Sequence, residues 1–188
     1  MRSLAALCVA VFLAGCATSS EVAAPTPPPA PKTSWIVGAD GRAIGQASFT
    51  AAPGGVLIHL EFSEHALSPG WHGTHIHEIA QCADVADGFR ASGSHAGHAD
   101  NVQHGLLNPN GPEAGDLPNI FATPAGPFGA EFFSPLLTLG AEADEGSIPL
   151  LDEDGSALIV HAGPDDHFSQ PIGGAGARVG CAVISLAP

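Results

Sequence analysis

Between Trp35 and Pro188 the apolar residues never settle into a helical period. Short β-branched or apolar runs recur instead, each bounded by Gly, Pro, Asn or Asp. The runs that read as strands are Trp35 to Gly38, Gly45 to Ala51, Val56 to Phe62, Trp71 to Glu78, Gly129 to Phe133, Ala157 to His161 and Ala182 to Leu186. In the third, Val56, Ile58, Leu60 and Phe62 alternate with Leu57, His59 and Glu61, the pattern of a strand with one buried face. Such faces need a facing layer, so the expected class is all-β, a sandwich or a barrel. With 24 Gly, 17 Pro, no Tyr and only 13% charged residues, a long-helix bundle or coiled coil is disfavoured. The 188 residues suit one well-buried domain.

The N-terminus has a different character. Arg2 precedes an apolar run from Leu4 to Leu13, too short to span a bilayer but of the size of a secretory signal. Leu13-Ala14-Gly15-Cys16 resembles the lipobox of bacterial lipoproteins, which implies cleavage before Cys16 and a lipid on its thiol; the alternative is an ordinary signal cut near Ala17. Stable anchoring takes more than one acyl chain, as a lipoprotein terminus normally supplies. From Ala17 to Ser34 the chain is rich in Ala, Pro, Ser and Thr and reads as an extended tether. The expected organisation is therefore a signal over residues 1–15, a lipid-anchored tether over 16–34 and one domain over 35–188. The expected location is the periplasm or cell envelope.

Within residues 35–188 there are 18 acidic side chains against Arg42, Arg90 and Arg178, a net charge of −15. A surface so acidic offers nothing to a phosphate backbone, and nucleic-acid binding is excluded. The segment from Gln81 to Pro118 has few apolar residues and many Gly, His and Asn, so it reads as a long functional loop. His75 and His77 flank Ile76 on an expected strand, whose period of two puts both imidazoles on one face, where one metal can accept both.

Gly70-Trp71-His72-Gly73-Thr74-His75-Ile76-His77-Glu78, followed by Cys82, resembles the copper-ligand strand of bacterial Cu,Zn superoxide dismutases. Four further segments resemble that family in the same order: Phe89 to His95, Gln103 to Leu106 with Gly115 to Asn119, Ala157 to Asp166, and Gly173 to Cys181. The resemblance runs from about residue 35 to the C-terminus. It implies an eight-stranded Greek-key β-barrel, consistent with the strands read independently.

It also implies a site: copper held by His75, His77, His95 and His161, with His95 bridging to zinc. Imidazole nitrogen suits both ions. Asp165 would link the copper ligand His75 to the zinc ligand His104, fixing their tautomers. The family's zinc set is three His and one Asp, but here Glu113 stands at the third His position, so zinc would sit in His95, His104, Glu113 and Asp116. A carboxylate is an acceptable zinc ligand. Alternatively Glu113 is solvated and zinc is weak or absent. The loop from His95 to His104 is one residue longer than expected and contains His98, an alternative bridge.

His72 would serve structural hydrogen bonding, while His59, His65 and His167 match no ligand position and are expected in solvent. Cys82 and Cys181 resemble the family's intrachain disulfide, in keeping with an oxidising compartment. Arg178 would guide the anionic substrate, superoxide, to copper. The competing reading is a lipid-anchored copper- or zinc-binding protein with little dismutase activity. A homodimer and a monomer are equally open.

Overall fold

A computed structural model describes residues 27, 29–143 and 146–186. The signal segment, Cys16 and the tether up to residue 26 lie outside the described residues. β1 (Lys32–Gly38), β2 (Ala43–Ala52) and β3 (Gly55–Phe62) form a meander; β4 (Gly70–His72) and β5 (Thr74–His77) follow. Next come β6 (Ile120–Ala122), β7 (Phe128–Ser134), β8 (Leu137–Thr138), β9 (Ile148–Pro149), β10 (Ser156–His161) and β11 (Arg178–Ile184). Seven strands make one curled antiparallel sheet in the order β5-β10-β11-β1-β2-β3-β7, while β4 pairs with β6 and β8 with β9. Neighbours such as β5 and β10, or β11 and β1, are far apart in the chain, the long connections of a Greek-key arrangement. The architecture is all-β, consistent with the Greek-key β-barrel the resemblance implies, with seven strands in the main sheet and four short ones paired outside it rather than eight in one barrel.

The alternation read in β3 is present: Val56, Ile58, Leu60 and Phe62 are buried, and His59 and Glu61 are exposed. They join Ile36, Phe49, Ile76, Leu117, Ile120, Leu158, Val160 and Ile184 in the main core. β10 is buried on both faces. Leu158 and Val160 enter the core, while Ala157 and Ile159 pack outside it against Phe89 and the Cys82–Cys181 disulfide. A second layer therefore covers the outer wall of the barrel, and the site lies there.

Several strand assignments differ from expectation. Trp71 to Glu78 is two strands broken at Gly73, because β4 pairs with β6 whereas β5 pairs with β10. β11 begins at Arg178 and ends at Ile184; Gly180 reads as a turn in sequence, yet it pairs with both Val160 and Gly38 within the sheet. β1 begins at Lys32, three residues before the expected domain boundary, since main-chain pairing with β2 needs no apolar side chains. β6, β8 and β9 have two or three residues each, too short to show a period. The segment from Gln81 to Pro118 is a loop apart from two single 3₁₀ turns, Val85–Asp87 and Arg90–Ser92.

Candidate metal centre

His75 and His77 project from the same face of β5, opposite Ile159 and Ala157 of β10, while Ile76 enters the core. His161 ends β10, where the register with β11 shifts. The long loop is laid onto β5 by main-chain bonds: Glu78 N to Ser94 O at 3.0 Å, Ile76 N to Gly115 O at 2.8 Å and Ala96 N to Ile76 O at 2.8 Å. The approach tolerates only glycine at 115, where a Cβ would lie 2.2 Å from Ile76 O. This lamination sets His95 beside His77 and Asp116 beside His75.

One ligand atom from each of His75, His77, His95 and His161 lies within 4.8 Å of the others, and all four residues are buried. Three rings have one nitrogen tied down: His75 Nε2 donates to Asp165 Oδ2 at 2.9 Å, His77 Nδ1 to Gly93 O at 2.9 Å and His161 Nδ1 to Gly176 O at 2.9 Å. The opposite nitrogens, His75 Nδ1, His77 Nε2 and His161 Nε2, together with His95 Nε2, are buried without any hydrogen-bond partner. Buried polar atoms left unpaired are costly. Four of them converging form the donor set of a metal that accepts imidazole nitrogen.

The reverse side of His95 faces carboxylates. Its Nδ1 lies 2.8 Å from Glu113 Oε2 and 3.1 Å from Asp116 Oδ1, and His104 Nδ1 donates to the same Asp116 oxygen at 2.7 Å. Two imidazoles on one Asp116 oxygen, with the Glu113 carboxylate on the His95 ring, are side chains of the types that hold zinc. The second group whose ligand atoms all lie within 4.8 Å of one another is His75, His95, His104 and Asp116; Glu113 is not among them and meets the site through His95, while His75 and His95 belong to both groups. His98 does not: it is exposed, on the far side of Glu113. Asp165 joins the two groups, its Oδ2 on His75 and its Oδ1 accepting from His104 Nε2 at 3.1 Å.

Burial pushes His75 down to about 3 and His161 down to about 4, and holds His77 well below its ordinary value. All three are therefore neutral near pH 7, the state in which a ligand binds a cation. On the other side burial also opposes charge, but Asp116 and Asp165 outweigh it and raise His104 to about 10; Asp116 and Glu113 likewise raise His95. The same ring contacts, against the opposing effect of burial, hold Asp116, Glu113 and Asp165 below the usual carboxylate range. In metal-free protein, protons on His104 and His95 balance these carboxylates.

A pH dependence follows for the metal-free protein. The folded value of His104 lies above its ordinary 6.5, so its stabilisation is complete below pH 6.5 and is lost as pH climbs towards 10. The folded values of His75 and His161 lie below 6.5, so their stabilisation is lost as pH falls from 6.5 towards 3 or 4. Urea unfolding of the metal-free protein should therefore show a stability maximum near pH 6.5. A stability that still rises from pH 7 to 9 would contradict the charge assignment.

Arg178, half-buried at the start of β11, donates through Nη1 to Phe89 O at 2.8 Å and Ser92 Oγ at 3.0 Å, and through Nη2 to Gly93 O at 2.9 Å. It lines a cavity of about 210 Å³ with His77, His95, His98 and Glu113. The disulfide Cys82–Cys181 ties the loop that carries these carbonyls to β11. His72 is buried, with both ring nitrogens on main-chain oxygens, His161 O at 2.7 Å and Ser68 O at 2.8 Å. His65 is exposed, and His59 sits on the surface beside Glu131.

His167 departs from expectation. It is only 19% exposed, and its ring accepts from Asn119 Nδ2 at 3.1 Å while its main-chain N donates to Asp165 Oδ1 at 2.6 Å. Asn119 also clasps the Asp165 main chain. The Asp165–His167 contact is a local Asx turn, whereas the contacts with Asn119 have no signal at short sequence range.

The chain matches the family model described as copper/zinc superoxide dismutase over residues 43–184. It is 48% identical over 152 residues to the Cu-Zn superoxide dismutase of Caulobacter vibrioides, covering 81% of this chain and 84% of that protein. Among solved structures, a double mutant of a SOD-like protein from Bacillus subtilis superposes with a TM-score of 0.73 at 33% identity, covering 81% of this chain and 96% of that one. The Cu/Zn superoxide dismutase from Brucella abortus superposes with a TM-score of 0.62 at 30% identity, covering 82% and 99%. With a match that runs from β2 to β11 and relatives this similar over most of its length, the chain belongs to the copper/zinc superoxide dismutase family.

Proposed function

We propose that this chain disproportionates superoxide, with copper held by His75, His77, His95 and His161, and zinc held by His95, His104, Glu113 and Asp116. The observation that carries the reading is the convergence of four buried ring nitrogens that have no other partner. Bound copper would supply a one-electron cycle between Cu(II) and Cu(I), and the neighbouring zinc would tune the shared imidazole. One superoxide gives up an electron and leaves as dioxygen; another takes that electron and two protons and leaves as hydrogen peroxide.

The chain's own groups have distinct tasks. His95 can hold a proton at Nε2 for the product, since that atom has no other partner and Nδ1 is engaged by Glu113 and Asp116. Asp165 fixes the tautomers of His75 and His104 together. Arg178 receives the anion. Three of its donors are anchored on the loop, so its charge is held in place in the cavity that also contains His77 and His95.

In a domain at −15 the long-range field repels superoxide, and only a charge within a Debye length of about 8 Å offsets that repulsion near the site. Arg178→Ile should slow the reaction by about tenfold, the consequence of losing roughly 1.4 kcal/mol of attraction in the transition state. It should also weaken the salt dependence. Pulse radiolysis of the metal-loaded protein measures both; unchanged rates would remove Arg178 from the reading, and no superoxide consumption by the wild type would remove the reading itself.

The domain division and location belong to the same proposal. Leu13-Ala14-Gly15-Cys16 supports export and a lipid on Cys16 at the end of a tether that runs to β1, with the dismutase domain beginning at Lys32. The disulfide supports an oxidising compartment such as the periplasm or cell envelope.

A further inference from the structure

A glutamate at the third zinc position raises a geometric difficulty that an imidazole does not. It has three rotatable bonds, and ordering such a side chain costs appreciable entropy. Here both oxygens are engaged. Oε2 lies 2.8 Å from His95 Nδ1, and Oε1 accepts from His98 Nδ1 at 2.5 Å. The main chain is fixed as well, Glu113 N donating to Asp116 Oδ2 at 3.0 Å.

His98 reaches the carboxylate through a tight turn in which its N donates to His95 O at 3.1 Å. Gly97 has a left-handed φ of +77°, and a Cβ there would lie 2.9 Å from the Cβ of Ala114, the residue beside Glu113. The turn is thus packed against the segment it restrains. The His98 side chain is 54% exposed and the Glu113 side chain only 4%, so the bond is not a by-product of burying His98.

We propose that His98 is a positioning residue for the zinc carboxylate: its Nδ1–H holds Oε1 of Glu113 so that Oε2 faces the zinc position beside His95, His104 and Asp116. The proposal rests on the reading of Glu113 as a zinc ligand. It gives a use to the His in the lengthened loop, and it makes the two departures from the family pattern a single unit. An imidazole needs no such clamp; a glutamate does.

The test is zinc affinity, measured by competition with a chromogenic chelator, together with the visible spectrum of Co(II) bound at the second site. His98→Ala should weaken zinc by roughly 10–100-fold, the range for loss of an outer partner of a ligand, and should change the Co(II) bands. His98→Asn places an amide nitrogen where Nδ1 lies and should restore most of the affinity. His98→Gln, whose amide overlays Nε2 instead, should not. His98→Ala should add nothing in a Glu113→Gln background, and the metal-free His98 variants should melt with the wild type.

If Glu113→Gln weakens zinc while His98→Ala leaves both affinity and spectrum unchanged, the positioning role is wrong and the ligand reading stands. If Glu113→Gln also leaves them unchanged, the ligand reading falls and the positioning role with it. Should the Ala variant fold poorly, the Asn and Gln variants carry the comparison, and equal affinities for those two would overturn the proposal.

Discussion

Replacing His161 with Ala is expected to abolish superoxide consumption while leaving the barrel folded. His161 closes β10 with its Nε2 unpartnered among the other three rings, so its loss leaves three imidazoles and an open position. It also removes the bond from Nδ1 to Gly176 O, which steadies the loop just before Arg178. Loss of an outer partner of a ligand typically costs about 10–100-fold, and loss of a ligand should exceed that. The fold should survive because Leu158 and Val160 of the same strand enter the main core, away from the site. Copper content, far-ultraviolet circular dichroism and pulse radiolysis on the same sample check the three parts. A copper-loaded His161→Ala protein that retained activity would refute the role given to His161.

Reducing the disulfide, or replacing Cys82 and Cys181 with Ser, should have the largest effect on stability. The bond closes a loop with a sequence separation of 99, for which the chain-entropy model gives about 4.7 kcal/mol. That is a large share of the 5–15 kcal/mol typical of a domain. At about 2–4 °C per kcal/mol for a domain of this size, the melting temperature should fall by roughly 10–20 °C, measured by calorimetry on the metal-free protein. Activity should fall with it. The loop held by Cys82 carries Phe89 O, Ser92 Oγ and Gly93 O, which fix Arg178, and Gly93 O also orients His77. A shift of less than a few degrees would show that Phe89, the Arg178 hydrogen bonds and the main-chain bonds to β5 hold the outer layer without the disulfide.

What could be read in advance follows from the range of the signal. His75 and His77 were legible because a strand's period of two is local, and β3 was legible because one of its faces is buried along most of its length. The four-histidine cluster as a whole is implied by ordered motifs, since nothing local says that His95 and His161 approach β5. The break at Gly73 was hidden because it is decided by partners: β6 lies about fifty residues away from β4 in the chain, and its own three residues show no alternation. Arg178 was legible as a charge, but not as the first residue of a strand with a Gly in its middle. The contacts of His98 with Glu113 and of His167 with Asn119 join segments 15 and 48 residues apart, and no spacing rule connects them.

Electron paramagnetic resonance of the zinc-loaded protein during titration with cupric ion reaches the four-histidine site most directly. The expected result is one tightly bound centre per chain with hyperfine structure from several imidazole nitrogens, complete at one equivalent. Weak, heterogeneous copper signals that keep growing beyond one equivalent would contradict a site formed by His75, His77, His95 and His161.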